Sequence, residues 1–193
     1  MDGNPCDLVD CEDDGNICTE SVCNPASGKC EARRFCRRVF VTSAVYRGSL
    51  GGPLGADQKC KGSAKMGGLG GEWSAWVSGP GRPHPSIQTS ELPFHRLDGE
   101  TVATSGAGLL SGSLLAPIVK TEVLSTVPKE ELRVWTGLTA EGAPTGTECE
   151  SWTSDDDMEE GTSGICNNAT SSWSKAFSPS SCFQFGHLYC FEL

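Results

Sequence analysis

The sequence has little of what a polyanion-binding or membrane-spanning protein needs. Fifteen Lys and Arg stand against 25 Asp and Glu, a net charge of −10. Nucleic acid, anionic membrane and heparin are thereby excluded as bulk electrostatic partners, since all three are polyanions. No apolar stretch approaches the ~20 residues that span a bilayer, so no transmembrane segment is expected. No basic and then apolar leader follows Met1. Histidine is scarce: His84, His95 and His187 are widely separated, and none falls in HExxH or another metal spacing. Serine is plentiful, yet no G-x-S-x-G elbow is present, and cysteines in an oxidised chain are not available as thiolates. These absences predict a protein that is not an enzyme and that carries no cofactor.

What the chain does have is cysteine. Eleven are far more than a reducing cytosol sustains as disulfides, which predicts a secreted or cell-surface protein. Export needs a leader, so one is expected upstream and already trimmed, with Met1 an added start residue. The odd count leaves one thiol over, and Cys166 is the candidate. Residues 1–36 hold six cysteines and no apolar periodicity, so cross-links must replace a core there. The pairing among Cys6, Cys11, Cys18, Cys23, Cys30 and Cys36 is open at this point. Cys18, Thr19, Cys23, Asn24, Pro25, Gly28 and Cys30 resemble the short CTDC-type cysteine-rich repeat, which implies a spacer or adhesive stalk. Arg33, Arg34, Arg37 and Arg38 follow as a basic run that reads as a solvated linker, a proteolytic hinge or a docking site for an acidic partner.

Residues 37–193 have a different texture and form the second expected unit. Val39–Tyr46 alternates as a strand of β-branched and aromatic residues. A glycine-rich turn over Gly48–Gly55 leads into an expected helix, Ala56–Met66, carrying Cys60 and ended by Gly67 and Gly68. Glu72–Ser78 reads as a short strand, Pro80–Pro93 as a Pro-rich loop, and Leu97-Asp98-Gly99 as a turn into Thr101–Ala103. Ala107–Pro117 reads as loop with a short strand, Arg133–Leu138 as a central strand, and His187–Leu193 as the closing strand.

The blocks GADQKCKGSAKMGGLGGEWSAWVS, LDGETV, VWTGLTAEG, CESWTS and CFQFGHLYC fall in one order along this unit. They resemble the endostatin domain of collagens, a C-type-lectin-like fold. They are closer still to an uncharacterised secreted bacterial family sharing that fold. The resemblance covers Val39–Leu193. It implies an α+β domain with a twisted antiparallel sheet and nested disulfides, Cys60 with Cys190 and Cys149 with Cys182, where the count of four alone allows three pairings. It does not carry a sugar site across. The Glu-Pro-Asn and Gln-Pro-Asp tripeptides of calcium-dependent lectins are missing, and Trp173-Ser174-Lys175 puts a hydroxyl and a cation where two oxygen ligands belong. Endostatin's zinc site is not carried over either, because Arg37-Arg38 stand where its histidines would lie.

The expected recognition surface is the loops Ser78–Arg96 and Trp152–Ser180, taking an extracellular protein or glycan. Its candidate residues are Trp152, Asp155, Asp156, Asp157, Glu159, Glu160, Asn167, Asn168 and Trp173. The acids read as a solvated loop, with weak calcium at Asp155, Asp156 and Asp157 (~10⁻⁴ to 10⁻³ M) as the metal alternative. Asp10, Glu12, Asp13, Asp14 and Asn16 lack EF-hand spacing. Trp73, Trp76, Trp135 and Trp152 read as core anchors, and Trp173 as the one tryptophan placed to stack on a sugar. Asn168-Ala169-Thr170 is a glycosylation sequon. Two other functions fit the same residues: a calcium-dependent lectin using the acidic loop, and a structural envelope or matrix component linked through the odd cysteine. Nothing in the sequence sets the oligomeric state.

Overall fold

A computed structural model describes residues 4–176 and 179–193. Met1, expected as an added start residue, and the 177–178 step of the expected recognition loop lie outside them. The chain is mixed α/β with few helices, many strands and five disulfides. Its elements are β1 (Thr19–Asn24), β2 (Lys29–Arg34), β3 (Arg37–Val41), α1 (Gly52–Met66), β4 (Trp73–Ala75), α2 (Pro85–Gln88), β5 (Phe94–Arg96), β6 (Thr101–Ala103), α3 (Gly106–Leu109), β7 (Arg133–Trp135), β8 (Glu160–Gly161), β9 (Ser163–Ile165), β10 (Ser180–Ser181) and β11 (Tyr189–Glu192).

The N-terminal segment is an antiparallel β1–β2 hairpin whose turn is set by Asn24, with the Asn24 side chain accepting from Ala26 N–H. Both strands lack a buried apolar face, so Cys6–Cys23, Cys11–Cys30 and Cys18–Cys36 take the place of a core. Its contacts with the rest of the chain include Arg34, which donates to the Leu193 carbonyl at 2.9 Å and to Glu192 at 3.1 Å.

A five-stranded sheet in the order β4-β11-β3-β5-β6 organises the remainder. Its alternation is read directly from the residues. Val39, Val41, Tyr189 and Phe191 pack into one apolar cluster, whereas Phe40 and Cys190 pack into another, as period-two side chains on opposite faces must. Helix α1 covers the second face with Ala56, Cys60 and Ala64, and Cys60–Cys190 ties it to β11. Asp57, one residue further round α1, accepts from Ala75 N–H and pairs with the guanidinium of Arg82. The other face is filled by long connections bearing Leu109, Ile118, Leu138 and Trp173.

Several expectations change here. The sheet is mixed and not purely antiparallel, because β3 and β5 run parallel. Strand β3 ends at Val41, where the Thr42 hydroxyl donates to Ala44 O at 2.7 Å and turns the chain. Helix α1 begins at Gly52, inside the expected glycine turn; Pro53 in its first turn sacrifices no helical hydrogen bond. The segment expected to hold a strand after Ala107 instead follows the short helix α3, whose Ser105 side chain accepts from Gly108 N–H. Strand β7 is not central: it pairs with β9 in a separate two-stranded sheet. Gly137, at φ 62°, bends the backbone just after it.

Candidate functional site

The acidic loop grows from an unusual backbone. Cys149, Glu150, Ser151 and Trp152 all have φ between 50° and 67°, one left-handed turn made without glycine. Such residues carry about 1–2 kcal/mol of steric penalty each. The surroundings hold the turn in place. Cys149 is bonded to Cys182, the Trp152 carbonyl accepts from Leu50 N–H at 2.9 Å and Gly51 N–H at 3.1 Å, and the Trp152 indole donates to Ser78 O at 3.1 Å. Trp152 is fully buried, so the expectation that it contributes ligand surface is corrected: it is the plug beneath the loop.

Beyond that plug the chain is exposed. Asp155, Asp156 and Asp157 border a shallow depression of about 280 Å³ together with Phe183. Glu159 and Glu160 border a second one, of about 470 Å³, with Glu148, Glu150 and Met158. Disulfide Cys149–Cys182 brings the two segments side by side, and β8 pairs with β10 next to it. Arg47 bridges them: its guanidinium lies 3.7 Å from the Phe183 ring centre, 5.2 Å from that of Phe185 and 3.9 Å from Asp155. Among the described residues, no three His, Cys, Asp or Glu side chains gather closely enough to hold a metal ion. Asp155 faces Arg47 at 3.9 Å and Asp156 accepts from Met158 N–H at 2.9 Å, so the three exposed aspartates are not gathered into the oxygen cage that calcium requires.

Other candidates lie elsewhere. Asn167 is exposed and Asn168 half-buried; the Asn168 side chain accepts from Thr170 N–H and its hydroxyl, both at 2.7 Å. Neither is among the described residues bordering the acidic depressions. Trp173 is fully buried, packed on Trp76 and Tyr189 with ring centres 5.0 and 5.6 Å apart. Its expected role in sugar stacking is corrected: a short 3₁₀ turn, Ser171–Trp173, folds it into the core. Much of the Ser78–Arg96 segment is likewise packed, with Ser78 and Ile87 buried and Arg82 clamped on Asp57.

Cys166 is the unpaired thiol, as expected, and it is buried. Burial pushes its pKa up to about 12, which removes the thiolate needed for exchange at neutral pH. The intermolecular cross-link expected of a matrix component has no route through it. The Cys60–Cys190 and Cys149–Cys182 bridges are both present.

Sequence reasoning missed Arg47, Phe183 and Phe185. The available signal was Phe183-Gln184-Phe185, two aromatics directly after a disulfide cysteine with Gly186 closing the segment.

Fold and site together define a disulfide-stapled α/β protein that presents an acidic loop beside an aromatic tip. Residues 43–169 match the family described as "Protein of unknown function (DUF1554)". The chain belongs to that family. The match includes the acidic loop and stops short of Cys182 and the phenylalanines. No curated protein matches the chain.

Proposed function

We propose that this is a secreted or cell-surface recognition protein without catalytic activity: a C-type-lectin-like, endostatin-like domain on a cysteine-rich stalk, binding an extracellular protein or glycan through exposed loops. The observation that carries this reading is the Cys149–Cys182 bridge, which fastens the base of the exposed acidic loop to the base of the aromatic tip. A binding surface needs such preorganisation, because ordering flexible loops on contact costs affinity. The nested disulfides accord with a lectin-like scaffold, and five disulfides accord with an oxidising compartment. The non-catalytic reading draws on what the reactive residues do. His84 accepts from Ser86 N–H at the start of α2, His187 is buried against Thr42 O, and Cys166 is protonated.

The test is a screen of the full chain against immobilised glycans and extracellular-matrix proteins. Retention of at least one, lost when Ser154–Glu159 is replaced by a Gly/Ser loop of equal length, is the expected result. A chain retained by nothing on either array, or retained equally after loop replacement, removes this reading.

A further inference from the structure

We propose that Phe183, Phe185 and the Asp155–Asp157 loop form a docking surface for a cationic segment of a partner protein, one carrying Arg or Lys side chains. This rests on the recognition reading above and names the partner class of the same surface.

Two independent observations meet there. The first is apolar. Phe183 and Phe185 are 50 % and 55 % exposed, and Met158 on the facing loop is 85 % exposed, in a chain whose five tryptophans are all buried. Exposed apolar side chains that cluster mark contact surfaces, and aromatic residues and Met are enriched there. The second is electrostatic. Residues 148–160 hold seven carboxylates and no cation. Of these, only Asp155 has an ion-pair partner among the described residues, and that partner is Arg47 at 3.9 Å.

Arg47 also displays the chemistry a partner would use. Its guanidinium rests on the Phe183 ring while reaching toward Asp155, so ring quadrupole and carboxylate act on one cation together. Half of each ring stays open for further cations, and Asp156 and Asp157 stand beside them without counter-charges. A polyanion would be repelled here. A second copy of this chain is a poor fit, because its basic run is already engaged: Arg33 pairs with Glu20, and Arg34 and Arg38 with Glu192.

The probe is a fluorescein-labelled 12-residue peptide alternating Arg and Ser, with the citrulline peptide of the same length as its neutral control, read by anisotropy against the full chain. The Arg peptide binds and the citrulline peptide does not. Phe183→Ala with Phe185→Ala weakens binding at least tenfold, and so does Asp155→Asn with Asp156→Asn and Asp157→Asn. Removing three carboxylates elsewhere, by Glu12→Gln, Glu130→Gln and Glu131→Gln, changes the dissociation constant less than twofold. Phe183→Leu, which keeps apolar area but loses the ring face, still weakens binding severalfold and guards against a folding artefact in the double variant. No binding of the Arg peptide, unchanged binding by the phenylalanine variants, or an equal loss in the distant triple variant overturns the proposal. If the peptide fails while the chain still retains a neutral glycan through the acidic loop, the cationic partner falls and the recognition reading stands.

Discussion

Cys166 and Tyr189 show how burial sets chemistry one residue at a time. Desolvation raises the Cys166 thiol to about 12 and drives the Tyr189 phenol well above its ordinary value. In the unfolded chain both groups ionise near pH 9–10, so above that range the unfolded state binds fewer protons than the folded one. Stability is therefore fully present below about pH 9 and falls as pH rises toward 12. The melting temperature is expected to decline steeply across that interval, and Cys166→Ala should make the decline shallower. Ellman's reagent at pH 8 should find no reactive thiol in the native protein and one per chain in denaturant without reductant. Rapid native labelling would show that the thiol is accessible. Glycine supplies the steric counterpart. A Cβ on Gly164 in β9 would land on the Trp173 carbonyl oxygen, and neither backbone has room to retreat inside the core. Gly164→Ala should cost about 3 kcal/mol in denaturant unfolding. A change under about 0.5 kcal/mol would mean that β9 and the Trp173 turn are not packed as described.

At the scale of elements, β11 concentrates the forces that close the fold. Glu192 in that strand is buried and receives Arg38 at 2.7 Å and Arg34 at 3.1 Å; Arg38 also donates to Gly70 O at 2.8 Å. Deleting one charge of such a cluster strands the other in the interior. Glu192→Gln is expected to cost about 3–5 kcal/mol, and Arg34→Ala, whose side chain is partly solvated, less than about 1 kcal/mol. Equal effects in urea denaturation would contradict this ordering. Helix α1, the closing strand that contains β11 and the turn into β6 were legible in the sequence, because helix formers around Cys60, the apolar run of His187–Leu193 and Leu97-Asp98-Gly99 are local signals; β5 was not, because Phe94–Arg96 directly follows a Pro-rich stretch that reads as loop. Strand β7 was legible as a strand but not in its pairing: its partner β9 is three residues long and glycine-centred, too short to carry a period. The acidic loop could be read from its charge. Its base could not, since Cys149–Trp152 adopts a left-handed turn that non-glycine residues avoid locally and that distant partners, Cys182, Leu50, Gly51 and Ser78 among them, hold in place. Trp173 misled for a related reason: a tryptophan among serines and asparagines looks exposed until the sheet behind it is known.

For the whole molecule, loop-closure entropy ranks the cross-links. Cys60–Cys190 encloses 130 residues of separation and Cys149–Cys182 encloses 33, which by the chain-entropy relation correspond to about 5 and about 4 kcal/mol. The closeness of these values has a functional consequence. Removing the first bridge, as Cys60→Ala with Cys190→Ala, lowers global stability while leaving the acidic loop's base tied. Removing the second, as Cys149→Ala with Cys182→Ala, lowers stability by a similar amount and also releases the left-handed turn. The N-terminal segment stands apart in this ranking, because its three bridges close only among its own cysteines. Its described polar links to the rest include Arg34 to Glu192 and to Leu193. A chain starting at Arg37 keeps β3, both long-range disulfides and the Arg38–Glu192 pair. It is therefore expected to unfold cooperatively, with a melting temperature a few degrees below that of the full chain, in line with the loss of about 1 kcal/mol. Calorimetry of that fragment decides the matter: a single transition supports two separable units, and an insoluble or non-cooperative fragment would show that the hairpin completes the fold of residues 37–193.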